Sequence, residues 1–168
     1  MAGIAPLVLI DASPLIVLSR IGGLHWLKAI FGEVSVPLAV RQEVLPGKDP
    51  VGETRIRAAI AAKSLVVSRR DWKLPQFPFL GEGEAACIRA AVHLRTSSPS
   101  LLLMDDRAGR ATAMEQGFKV AGTAAIIAMA KRQKLISSAA DVFEQLLQMD
   151  CRISAEVIHA ALEAAGER

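Results

Sequence analysis

The run LLLM at positions 101–104 ends in two adjacent carboxylates, Asp105 and Asp106, with Arg107 and Arg110 just behind them. An apolar run of that length reads as a buried strand. The two acids at its end have two uses open to them: capping the helix that follows, or joining acids from elsewhere around a cation. Three further acids stand in comparable places. Asp11 follows LVLI at 7–10, Glu43 lies within PLAVRQEVL at 37–45, and Glu84 lies near the start of GEGEAACIRAAVHLR at 81–95. Carboxylates are hard oxygen donors, and Mg²⁺ or Mn²⁺ needs only one or two of them per ion besides water and a substrate phosphate. Each acid also has an ordinary structural use. Asp11 or Ser13 can cap a helix, Glu82 and Glu84 can complement a helix dipole, and Asp106 with Arg110 forms an i,i+4 pair worth about 0.3–0.5 kcal/mol.

The elements around these acids decide whether they can meet. PLVLID (6–11) reads as a strand, and SPLIVLSRIGGLHWLKAIF (13–31) as helix broken at Gly22-Gly23, with Ser13 as N-cap and Pro14 in the first helical position. EVSVP (33–37) is a strand, PLAVRQEVL a helix, GETRIRAAIAAK (52–63) a helix and SLVVS (64–68) an edge strand. The segment 69–81 carries two prolines and is the longest expected loop. After the helix GEGEAACIRAAVHLR come a loop TSSPS (96–100), the strand LLLM, a helix 107–117, a strand FKVAG (118–122) and a helix 123–134. Two amphipathic helices, 137–149 and 154–166, complete the chain. Alternating strands and helices predict an α/β fold with a mainly parallel central sheet flanked by helices, three layers in all.

In open parallel sheets ligands bind beyond the carboxyl ends of the strands, where Asp11 and Asp105 stand. Neighbouring side chains leaving a strand point different ways, so Asp105 and Asp106 are not expected to bind one ion together. Asp105 is the one expected to face the metal. Asp106 is expected to cap the next helix or to pair with Arg110.

Composition narrows the function classes. The 168 residues suit one domain, and a hydrophobic content of 52% suits a sheet covered on both faces and an oligomer interface. Twenty basic against 17 acidic residues give a net charge of +3. If four acids share one pocket, the remaining surface carries 20 bases against 13 acids, a balance that suits a polyanion held beside metal ions. Cys87 and Cys151 form neither a metal-ligand spacing nor a disulfide framework, and the three histidines are isolated. A reducing cytoplasm is the expected location, since the N-terminus lacks signal-peptide features and no apolar run approaches about 18 residues. Aromatics at 4%, with no Tyr, argue against a base-stacking sheet.

The segments LIDASPLIVL (9–18), VPLAVRQEV (36–44), GEGEAACIRAA (81–91), LLLMDDRAGRATA (101–113) and VAGTAAIIAMAK (120–131) follow one another in the order of a known family. Together they resemble the PIN domain family, metal-dependent ribonucleases that include the VapC-type toxins. The resemblance is closest to a prokaryotic PIN-like subgroup of largely unassigned function. It implies a nuclease domain over 1–134 with 135–168 as a C-terminal helical pair extending the same domain. It implies Asp11, Glu43, Glu84 and Asp105 or Asp106 as the four catalytic and metal-binding acids, holding Mg²⁺ or Mn²⁺. Ser13, Arg107 and Arg110 are implied as supporting or phosphate-contacting residues. The implied activity is endoribonuclease, as the toxin of a toxin–antitoxin pair, with RNA, a small antitoxin and a second copy of the chain as partners and no membrane. Two departures stand out: Glu84 replaces the Asp of many PIN toxins, and the usual Thr-x-Asp at the fourth position is missing. They leave a non-catalytic PIN-fold nucleic-acid-binding or scaffold module as the alternative. Other acid-based folds fit worse. A phosphoryl-accepting receiver wants its acidic pair after the first strand, and a HAD-type phosphatase wants Asp-x-Asp where this chain has Asp-Ala-Ser.

Overall fold

The computed structural model describes residues 6–95 and 100–167. Five short strands pair into one sheet: β1 (Val8–Ile10), β2 (Val34–Val36), β3 (Leu65–Val67), β4 (Leu101–Leu103) and β5 (Lys119–Ala121), in the order β3-β2-β1-β4-β5. Every pairing is parallel, so the sheet is wholly rather than mainly so. The α/β reading holds, and each expected strand is present. All but Ser100 of the expected loop TSSPS lies outside the described residues.

Nine helices among the described residues connect and cover the strands. α1 (Ala12–Arg20) and α2 (Leu24–Phe31) follow β1, and α3 (Leu38–Val44) and α4 (Pro50–Ala61) follow β2. α5 (Glu82–His93) precedes β4, α6 (Arg107–Glu115) follows it, and α7 (Thr123–Arg132), α8 (Ala139–Gln148) and α9 (Ala155–Ala164) come after β5. The chain moves outward from β1 to β3, then crosses back to β4 on the other side of β1. Right-handed crossovers therefore place α1, α2 and α4 on one face of the sheet and α5 and α6 on the other, with α3 packed against both α1 and α5.

The strands are apolar because both faces are covered. Val8, Leu9 and Ile10 of β1 are all buried, as are Leu102 and Leu103 beside them in β4. One core runs from these strands through Leu15, Leu18 and Leu27 to Phe143 and Leu146 of α8 and Leu162 of α9. No single helix among the described residues is long and apolar enough to cross a membrane. The pair α1–α2 is apolar taken together, but it bends by 117° at the glycine pair and buries Leu15, Leu18 and Trp26.

Helix starts differ in two places from the sequence expectation. α1 begins at Ala12, so Ser13 is not its cap; Asp11 occupies the N-cap position and makes no side-chain cap hydrogen bond. α4 begins at Pro50 rather than Gly52, because Asp49 accepts a hydrogen bond from the Gly52 amide (3.2 Å) and Pro50 suits the first turn.

Candidate active site

β1 and β4 are the strands between which the chain reverses its direction of travel across the sheet. The crevice beyond the carboxyl ends of such a pair is where open α/β sheets bind ligands. Asp11 leaves β1 and Asp105-Asp106 leave β4 at this edge, and the Asp11 amide donates to the Leu103 carbonyl (2.9 Å), extending the ladder into the crevice.

Asp11 is 2% exposed, and its Oδ1 is buried with no hydrogen-bond partner. An orphaned carboxylate oxygen is costly unless something cationic or a proton satisfies it. The first turn of α5 passes directly over it. A Cβ placed on Gly83 would sit 2.8 Å from Asp11 Oδ1 and 2.9 Å from Glu43 Oε2, so the two oxygens flank one small point on the helix backbone. Glu84 leaves the same turn and runs between Gly81 and Gly109, its Cγ 3.0 Å from where a Cβ on Gly109 would lie. It therefore spans from α5 to the start of α6, which Asp106 caps by accepting from the Gly109 amide at 2.8 Å.

The electrostatics show which acids form a group. The Asp11 carboxyl is pushed up to about 7, first by burial and then by the charges of Glu84, Glu43 and Asp106, against a favourable hydrogen bond from the Ala12 amide. Glu43 is also raised, by burial and by Glu84. Cys87, fully buried in α5, has its thiol pushed well up by burial and by Asp11, Glu84 and Glu43. Like charges gathered without a counter-ion keep one another protonated or apart. Accordingly, no three His, Cys, Asp or Glu side chains among the described residues stand close enough to form a ready-made ion cage.

The doubled acid divides differently from expectation. Asp105 does not face Asp11. Its Oδ1 accepts from the Thr123 amide (2.7 Å) and its Oδ2 from the Thr123 hydroxyl (2.6 Å), so both oxygens are spent on the start of α7. Asp106 keeps its expected capping role and is also the member of the pair whose charge reaches Asp11. The reason is geometric: β5 and α7 crowd the β4 end on one side, and the side chain directed there meets α7 first. Nor does Arg110 pair with Asp106. Its Nη1 donates to the Met104 carbonyl (3.2 Å) and lies beside Gly122. Ser13 is exposed on the rim, where it lines a groove with Asp105, Arg107 and Arg110.

Sequence reasoning missed two residues that shape this site. Gly83 permits the close approach of Asp11 and Glu43, and its signal was the alternation of small residues and acids in GEGE. Thr123 holds Asp105, and its position directly after Gly122 at a helix start was the available cue.

The donor set fits a hard divalent cation: carboxylates, one with a buried oxygen lacking a partner, with the Cys87 thiol beside them held protonated. Comparison with protein families gives a match to a model described as a PIN domain, over residues 7–167. No curated protein matches the chain.

Proposed function

The chain belongs to the PIN domain family, a nuclease-type fold, and from that premise we propose that it is a Mg²⁺- or Mn²⁺-dependent endoribonuclease. The observation that carries this reading is the buried, partnerless Oδ1 of Asp11 at the sheet's reversal point, with Glu43, Glu84 and Asp106 around it. Asp11, Glu43, Glu84 and Asp106 are the residues that would hold the metal, with Asp105 supporting them through α7. A bound divalent ion supplies an activated water and charge stabilisation for the leaving oxygen of a phosphodiester.

The chain's own residues do the rest. Burial of Asp11 keeps bulk water from its Oδ1, so this oxygen is reserved for a cation. Glu43, exposed on α3, and Glu84, half-buried on α5, approach from two helices and define the open side facing substrate. Arg107 and Arg110 stand one turn apart at the rim, on the side where phosphates would pass. We assign the protein to the cytoplasm as the toxin of a toxin–antitoxin pair, with a small antitoxin as its inhibitor and a homodimer as its working form.

The test is cleavage of single-stranded RNA by the purified chain with Mn²⁺ or Mg²⁺, blocked by EDTA and abolished in Asp11→Asn. Cleavage surviving both treatments sinks the reading. Binding of RNA without cleavage under any divalent ion would favour the scaffold alternative. Growth arrest on expression, absent in Asp11→Asn and relieved by a small protein encoded beside the gene, tests the toxin assignment.

A further inference from the structure

A groove of about 950 Å³ opens beside the acid cluster on the β5 side of the sheet, walled by α6, α7 and α9. Its charged lining is lopsided: Arg107, Arg110 and Arg152 against Asp105 alone. Asp105 binds Thr123 through both oxygens and lies beside Arg110 at Gly122, so its single charge leaves the groove with an excess of positive charge. Arg107 and Arg152 are exposed and have neither an ion-pair nor a hydrogen-bond partner among the described residues. Arg107 and Arg110 follow β4 directly, and Arg152 follows Cys151, whose thiol is raised by burial and then by the charge of Asp105. Further along, the walls are small and apolar, with Ala125 on α7 and Val157 and Ala160 on α9.

We infer that this groove is the path of the single-stranded RNA flanking the scissile phosphate, with backbone phosphates on Arg107 and Arg152 and an unstacked base against the apolar wall. The inference rests on the nuclease reading and extends it to how substrate is held. Guanidinium forks match phosphate oxygens bidentately, and arginines without a protein partner break no internal ion pair on engaging them. Single strands are bound by combining such a basic track with an apolar surface for bases. Continuity with the acid cluster favours RNA over a protein partner, because the groove is lined by Ser13, two residues after Asp11, and by Asp105 and Arg107, which flank Asp106.

The experiment is equilibrium binding of a labelled single-stranded oligoribonucleotide to the full chain in EDTA, across a salt series. Arg107→Gln and Arg152→Gln should each weaken binding by about threefold to tenfold at about 0.15 M salt, and should lower the slope of log affinity against log salt by about 0.7. Ala160→Trp, which fills the apolar wall, should weaken binding without changing that slope. Unchanged affinity and slope in both arginine variants would overturn the groove assignment, and would leave the nuclease reading intact if Asp11→Asn still abolishes cleavage. A wild-type chain that neither binds nor cuts RNA overturns both. If Ala160→Trp changes the mass measured by light scattering while RNA affinity stays as in wild type, the groove is a protein interface and the inference fails.

Discussion

Asp11 in the unfolded chain ionises near 3.8, whereas in the fold it keeps its proton up to about 7. Between those values the folded state binds the extra proton. The contribution of this group to stability is therefore fully present below 3.8 and is lost as pH rises through about 7. Glu43, also raised, acts in the same direction. Metal-free protein should melt progressively earlier from about pH 4 to about pH 7 and level off above that, and Asp11→Asn should flatten most of that fall. An equally steep fall in the variant would show that other groups cause it. Added Mn²⁺ should raise the wild-type melting point at pH 8 more than that of Asp11→Asn, because only the charged, intact site gains by linkage. Asp105 and Asp106 separate at this same scale. Asn caps a helix as well as Asp does, so Asp106→Asn should keep the α6 cap, relieve repulsion on Asp11, and lose activity while melting no earlier than wild type. Asp105→Asn cannot accept from both Thr123 donors, and should cost about 1 kcal/mol of stability while retaining most activity. The opposite pattern of melting and activity would return Asp105 to the metal.

At the scale of elements, the first turn of α5 is where helix stability and site geometry conflict. Gly83 is a poor helix former, and alanine there would gain up to about 1 kcal/mol from propensity alone. Its methyl group, however, would lie 2.8 Å from Asp11 Oδ1 and 2.9 Å from Glu43 Oε2. Glu43 is exposed on α3 and can swing aside, whereas Asp11 is buried and cannot. Gly83→Ala should therefore lower the melting point despite the gain in propensity, and lose metal-dependent activity; full activity in this variant would show that Asp11 and Glu43 do not act together at that point. The turn is also anchored from behind. Arg89, 7% exposed, donates its Nε to the Pro75 carbonyl (2.8 Å) and pairs through Nη1 with Glu82 (2.7 Å), tying the loop before α5 to the helix. Removing it takes away a part-buried hydrogen bond and empties a buried side-chain site, so Arg89→Ala should destabilise by about 2 kcal/mol and open 69–81 to limited proteolysis. A loop no more readily cut than in wild type would mean that its prolines alone hold it.

For the whole molecule, the last two helices complete the core. α9 packs on α7, and the Glu167 carboxylate closes the arrangement by accepting from the Ala139 and Ala140 amides at the start of α8. α7 carries Thr123, and Thr123 holds Asp105, so the C-terminal pair supports the sheet edge that carries the acids. A chain ending at residue 134 would expose the α7 surface that Phe143, Leu146 and Leu162 cover. At about 1.5–3 kcal/mol for each large buried side chain lost, that is comparable with the whole stability of a domain of this size, about 5–15 kcal/mol. The shortened chain should be insoluble or lack a cooperative melt; a cooperative melt near the full-length value would show that the first 134 residues fold alone.

The order of the strands and helices was legible because both periodicities are strong in this chain: unbroken apolar runs such as LVLI and LLLM for strands covered on both faces, and apolar stripes in helices such as AADVFEQLL. That Asp11 ends one strand and Asp105 another was legible too, since a strand's end is a local property. Side-chain destination was not. Asp105 and Asp106 differ by one position, and which of them turns toward Asp11 depends on α7 arriving from 18 residues downstream to claim Asp105 with Thr123. Likewise Gly83 reads as a weak helix residue until α3 and β1 bring Glu43 and Asp11 against it. Local sequence determines which backbone state a segment adopts, through propensity and pattern acting over a few neighbours. Which charges share a crevice, which oxygen is left without a partner, and which arginines line one groove are set by packing between segments far apart in the chain, and only the tertiary structure decides them.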